Sequence, residues 1–156
     1  MMGMFPHLRM FIFEDTAEIQ CRADNCVQYH TTVDVTMAKL LKISMRMRPD
    51  TILVGEVRGP EALDLLMAWN SGHEGGIATL HANHARAGLS KLALYISMNQ
   101  DYPKPIEPLI AEAVQVVVHI TRCAEGRRVE DILEVQGYEN GQYITRSLIE
   151  PKEHHQ

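Results

Sequence analysis

Asp50-Thr51-Ile52-Leu53-Val54-Gly55-Glu56-Val57-Arg58-Gly59-Pro60 is a short apolar run that stops abruptly on a carboxylate, an arginine and two residues that punctuate helices. Ile52, Leu53 and Val54 show no alternation with polar residues, which suits a strand covered on both faces, as in a parallel sheet flanked by helices. Glu56 then falls beyond the carboxyl end of that strand, the edge at which open α/β sheets bind ligands. Gly59-Pro60 predicts that a helix begins at once, with proline at its first position and Glu61 and Asp64 in its first turn.

The 156 residues are 46% hydrophobic, enough for one domain with a core. We expect that domain to cover residues 1–150, followed by a polar tail at 151–156. A net charge of -5 and a pI near 5.9 argue against a surface built to grip nucleic acid, and no direct nucleic-acid partner is expected. Cys21, Cys26 and Cys123 are an odd number of thiols and imply no disulfide framework, as in a reducing cytoplasm. No apolar run approaches the roughly 18 residues of a membrane span.

The same strand, tip and helix rhythm recurs on either side of the opening stretch. Leu8 to Phe13 reads as a strand that runs into Glu14-Asp15-Thr16. Residues 17–32 have no clear period and read as a long loop or a strand with turns. A helix capped by Thr32 or Asp34 follows, with Met37, Leu40, Leu41 and Met45 at helical spacing and Pro49 as its stop. A helix over Pro60 to Trp69, a glycine-rich connector to Gly76 and a strand over Ile77 to Leu80 come next. Asn83 can cap a helix carrying Ala85, Leu89, Leu92, Ala93 and Ile96. Right-handed βαβ units and a parallel sheet are implied.

Gln115 to Thr121 reads as a fourth core strand, preceded by a short helix near Ile110 to Ala113. Beyond it, Asn140-Gly141 is a strong hairpin signal between Arg128–Val135 and Tyr143–Leu148, so the chain closes on an antiparallel meander. The methionines at 37, 45, 47 and 67 read as core filler.

Three strand tips thus carry Glu14, Asp15 and Glu18; Glu56 and Arg58; and Thr79, His81 and Asn83. Carboxylates, arginines and a histidine without a lysine suit phosphoryl transfer to water, with one carboxylate orienting the water, another supporting magnesium and arginines neutralising charge. A zinc reading of His81 and His84, with His73, Glu74 or Glu56, lacks any recognised ligand spacing.

Phe13-Glu14-Asp15-Thr16-Ala17-Glu18 resembles the Asp box of the secretion ATPases. Arg46-Met47-Arg48-Pro49-Asp50 followed by Ile52 to Gly59 resembles their Walker B region, and Gly76-Ile77-Ala78-Thr79-Leu80-His81-Ala82-Asn83 their His box. The similarity is greatest to the TrbB-like conjugal-transfer ATPases of type IV secretion systems. It implies an α/β, RecA-like P-loop NTPase domain from a hexameric ATPase at the cytoplasmic face of a bacterial inner membrane, using ATP and Mg2+ and working with inner-membrane secretion components. It also implies catalytic roles for Glu14, Glu56 and His81, magnesium support from Glu56, and nucleotide contacts from Asp15, Glu18, Arg46, Arg48 and Arg58. Gly55 stands where many P-loop enzymes carry an aspartate, a substitution usual in this family.

No Gly-x-x-x-x-Gly-Lys-[Ser/Thr] occurs in the chain. Backbone N–H groups and the lysine of that loop supply most of the triphosphate grip. The expectation is therefore an incomplete RecA-like sheet, the C-terminal portion of a secretion ATPase, that binds ATP poorly and is inactive alone. The alternative is an interaction or regulatory module that joins a full-length ATPase ring through its unpaired sheet edges.

Overall fold

The computed structural model describes residues 7–73 and 75–149; Glu74 and the polar tail lie outside them. The chain forms two compact units, one made of residues up to Leu80 with Tyr95–Tyr102, the other of His81–Leu94 with the residues from Pro103 onward.

The first unit holds β1 (Met10–Glu14), β2 (Cys26–His30), α1 (Met37–Ser44), β3 (Thr51–Val54), α2 (Ala62–Trp69) and β4 (Ile77–Ala78). Its sheet runs β2-β1-β3-β4 and every pairing is parallel. Met10↔Thr51 opens the central pair and Phe13↔Val54 closes it, so the tips of β1 and β3 lie side by side. All of β1 and all of β3 are buried, as the unbroken apolar runs require. Both crossovers, α1 and α2, advance the same way across the sheet, and right-handedness then places them on one face, where they touch each other and lie against β1 and β3.

Local chemistry moved several boundaries. Thr36, not Thr32 or Asp34, caps α1, its hydroxyl accepting from the Lys39 N–H, while the Thr32 hydroxyl accepts from Val35 N–H in the turn before. Pro60 lies in a turn rather than at the head of α2, which begins at Ala62 with Glu61 at its cap. The stretch read as a long loop or a strand with turns contains β2, an edge strand with no buried residue. Of the methionines read as core filler, Met37 is buried, while Met45 and Met67 are 40% and 47% exposed.

One close approach holds the edge of this sheet. The Trp69 indole N–H donates to the Ile52 carbonyl at 3.1 Å, satisfying a backbone acceptor just before β4 takes over the pairing. A Cβ at Gly76 would fall 2.0 Å from Trp69 Nε1 and 2.5 Å from that carbonyl.

The second unit contains most of α3 (Ala85–Ile96), then α4 (Glu107–Ala113), β5 (Val116–Cys123), β6 (Gly126–Glu139) and β7 (Gln142–Ser147). Its sheet is an antiparallel meander in the order β5-β6-β7. Asn140 and Gly141, with φ of 51° and 80°, make the predicted tight turn, and Glu139 faces Gln142 across it. α4 lies on β6, with Ile110, Leu133 and Val135 buried. The strand expected to be a fourth member of the parallel core is instead β5, first strand of the meander. Its exposure alternates, with Val116, Val118 and Ile120 about half exposed; His119 and Thr121 on the opposite face are the polar interruptions that a count of apolar residues overlooked. All three thiols are free. Cys26 is pushed up to about 12 by burial and by the hydrogen bond and charge of Cys21.

Gly76→Ala is expected to cost about 1–3 kcal/mol, the scale of an added methyl group that its surroundings cannot absorb, measured as a shift in urea midpoint at unchanged m. A variant as stable as the parent would show that the Trp69 contact is not constraining.

Candidate functional site at the carboxyl edge of the parallel sheet

Glu14 is the last residue of β1 and only 2% exposed. A carboxylate so buried needs partners, and the chain folds back to give them: Oε1 accepts from the N–H groups of Glu18 at 3.1 Å and Ile19 at 2.9 Å. Oε2 is also buried, has no hydrogen-bond partner, and lies 4.0 Å from Nε2 of His30, its register partner on β2. One oxygen anchors the side chain and the other is left with acceptor capacity.

Gly55, first residue after β3, makes room for this. A Cβ there would sit 3.0 Å from Glu14 Cγ and 3.5 Å from Oε1, so any other side chain would crowd the carboxylate. The Gly55 N–H donates to the Phe13 carbonyl at 2.8 Å, its own carbonyl accepts from the Thr79 hydroxyl at 2.6 Å, and Val57 N–H donates to the Thr79 carbonyl at 2.8 Å. The backbone on both sides of Glu56 is fixed by these bonds.

Glu61 fixes the next turn. Its Oε1 accepts from the N–H groups of Arg58 at 2.8 Å and Gly59 at 2.9 Å, closing the turn before α2. The Arg58 guanidinium is thereby held between two loops: Nη2 donates to Glu56 Oε2 at 2.5 Å and Nη1 lies 3.8 Å from Asp15 Oδ2. The Glu56 hydrogen bond and charge, with smaller contributions from Asp15 and Glu18, raise the Arg58 pKa further above its ordinary value. Arg58 is largely exposed, so this pairing orients groups more than it stabilises the fold. Asp15 is steadied in turn by the Thr31 hydroxyl, which donates to Oδ1 at 2.7 Å.

The structure thus gathers Glu14, Asp15, Glu56 and Arg58 at one edge of one sheet, with Glu18 supplying a backbone N–H. Arg46 and Arg48 are not among them. They follow α1 and precede β3, which puts them at the opposite, amino edge. His81 and Asn83 belong to the second unit. Glu61, Thr31 and His30 act on this edge without having been singled out as its residues. An acidic residue two beyond Gly59 was the only sequence signal for Glu61, and the register partners of β1 were not visible before β2 was placed.

For magnesium and nucleotide, the donor set fits one side of a site. Among the described residues no three His, Cys, Asp or Glu side chains form a cage for a metal ion. Mg2+ is usually held through waters, one or two carboxylates and substrate phosphates, and the unpartnered Glu14 Oε2 together with Asp15 and Glu56 offers such carboxylates. A phosphate-cradling loop is not part of this sequence.

Residues 4–152 match the family described as type II/IV secretion system protein. The conjugal transfer protein TrbB of Rhizobium radiobacter is 46% identical over 149 residues, covering 95% of this chain and 45% of the relative. A probable TrbB of Sinorhizobium fredii is 49% identical over 142 residues, covering 91% and 43%. Among solved structures, the VirB11 ATPase of the Brucella suis type IV secretion system, in complex with sulphate, aligns with a TM-score of 0.74 at 32% identity over 80% of this chain and 39% of its own. The pilus retraction motor PilT with bound ADP aligns with a TM-score of 0.56 at 18% identity, over 83% and 40%, a likeness of fold alone. The chain spans less than half the length of each of these proteins.

Glu14→Gln keeps the acceptor for both backbone N–H groups and is expected to unfold within about 1 kcal/mol of the parent, whereas Glu14→Ala strands both donors and should cost about 1–3 kcal/mol. Urea denaturation of the two variants checks this. Equal losses would mean that Oε1 does not anchor the loop.

Proposed function

The chain belongs to the type II/IV secretion system protein family, and from that premise we propose that it forms the water-activating side of an ATPase motor for conjugal transfer or type IV secretion. The observation that carries this is the placement of a buried, half-satisfied carboxylate, Glu14, beside Glu56 and its Arg58 partner on a single sheet edge. Glu14 Oε2 is free to accept a hydrogen bond from an attacking water and orient it. Glu56, polarised by Arg58, is the companion carboxylate, and with Asp15 it would hold the waters around Mg2+. When bound, Mg2+ neutralises charge on the triphosphate oxygens. Arg58 supplies positive charge to the same edge, and His81 is the proposed contact to the terminal phosphate.

Arg46 and Arg48, at the other edge of the sheet, are retained as nucleotide contacts only in the sense of reaching a neighbouring subunit. The proposed assembly is a ring of such subunits, a hexamer as in the family, docked peripherally on the inner membrane; among the described residues no helix is long and apolar enough to cross a membrane. Without a phosphate loop the 156-residue chain is proposed to be inactive by itself and to need that loop from additional sequence or a partner chain.

A second reading is an interaction or regulatory module that adds to a full-length ATPase ring. It is favoured by β5, which is the outer strand of the meander and exposes Val116, Val118 and Ile120, features that invite pairing with another strand. Co-elution with a full-length TrbB-type relative on a sizing column supports this reading, and a monomer that ignores the relative opposes it.

Calorimetry of the chain with Mg2+ and ATP should give no sub-millimolar binding; such affinity would overturn the need for a supplied phosphate loop. Joined to the phosphate-loop half of a TrbB relative, the protein should hydrolyse ATP, and Glu56→Gln should lower turnover by about two to four orders of magnitude with assembly intact. Turnover within about threefold of the parent would remove Glu56 from the chemistry.

A further inference from the structure

The amino edge of the same sheet carries a second concentration of cations. Arg9 precedes β1, Asn25 precedes β2, Arg48 and Asp50 precede β3, and His73 follows α2; with Pro49 they line an open groove of about 510 Å³. The starts of three strands meet here, drawn together by Met10 N–H donating to the Asn25 carbonyl and by the N–H groups of Asp50 and Thr51 both donating to the Arg9 carbonyl.

Among the described residues that line the groove, two guanidinium groups stand against one carboxylate, Asp50, whose Oδ2 is already taken by the Arg9 backbone N–H at 2.7 Å. The Arg9 guanidinium lies over the Phe11 ring, 5.4 Å from the centroid, and its Nε is buried with no hydrogen-bond partner. Arg48 is held at φ 53°, a left-handed conformation that a long side chain rarely adopts. His73 Nδ1 is 3.0 Å from the Ala68 carbonyl. A carbonyl only accepts, so Nδ1 carries the proton and Nε2 is the nitrogen left over. Strain, an unsatisfied buried donor and two guanidinium groups in one concavity coincide at the sheet edge opposite the proposed water-activating carboxylates.

We propose that this groove binds a phosphate group, with the Arg9 and Arg48 guanidinium groups as its main donors and Asn25 as a flanking one. Guanidinium forks match the paired oxygens of a tetrahedral oxyanion. Asp50 disfavours a highly charged polyanion and suits a single phosphate, whether a free ion or the headgroup of an anionic phospholipid.

The test titrates the intact chain at low ionic strength with inorganic phosphate, following the ring signals of His73 and the side-chain amide of Asn25 by NMR, with chloride at matched ionic strength as control. Saturable shifts with a dissociation constant on the order of 1 mM are expected. Arg48→Gly removes the guanidinium and suits the left-handed backbone, so it should weaken binding at least fivefold without lowering the melting temperature. A parallel arm sediments the chain with phosphatidylglycerol vesicles and with phosphatidylcholine vesicles. Arg48-dependent sedimentation with the former alone assigns the phosphate to a lipid; titration without sedimentation assigns it to a soluble ion. Shifts that stay linear, or that persist undiminished in Arg48→Gly, together with no Arg48-dependent sedimentation, overturn the proposal.

Discussion

The contact between Glu14 and Gly55 is the constraint on which the candidate site depends. β1 and β3 lie in parallel register with Phe13 opposite Val54, so the next residues along the chain, Glu14 and Gly55, are forced against each other. Two side chains cannot share that space. The conflict is resolved by giving one position no side chain and by burying the other's carboxylate, and the buried carboxylate in turn draws the following segment inward to supply its two N–H groups. A glycine at this position thus spares the Glu14 side chain a contact that a Cβ would make at 3.0 Å.

From that contact the rest of the edge follows as a chain of backbone restraints. Thr79 holds the backbone around Glu56, Glu61 holds the turn at Arg58, and Arg58 then bridges Glu56 and Asp15. Each restraint uses a polar group that also satisfies its own hydrogen-bonding need, so order at this edge costs little in unsatisfied buried groups. The one exception among these groups is Glu14 Oε2, the acceptor that the proposed function assigns to the attacking water.

Much of this was legible in the sequence for physical reasons. Ile52-Leu53-Val54, apolar without alternation, suited a strand buried on both faces, and its direction put Glu56 at the ligand edge. Asn140-Gly141 has the left-handed preference that a tight hairpin demands. β2 was left undecided between loop and strand because an edge strand, partly exposed, carries no strong period in Cys26 to His30. β5 was misplaced because Val116 to Ile120 is apolar enough to resemble a core strand, although its polar residues alternate. Arg46 and Arg48 were grouped with the phosphate chemistry by motif, yet residues that precede a parallel strand stand at the opposite edge from those that follow it, a conclusion that strand direction alone supports. Glu61 was seen only as an acidic residue near a helix start, since sequence does not record which backbone N–H a carboxylate will accept from.

The account stands on Gly55 setting the position of Glu14, and kinetics of Gly55→Ala, made in the chain joined to the phosphate-loop half of a TrbB relative, tests it most directly. The added methyl group meets Glu14 Cγ at 3.0 Å and must move the carboxylate while leaving Glu56, Arg58 and the phosphate loop in place. The account predicts that kcat falls by about tenfold or more, the scale on which small misplacements of a positioned group are felt, with ring assembly and nucleotide affinity near those of the parent. A kcat within about twofold of the parent would contradict it.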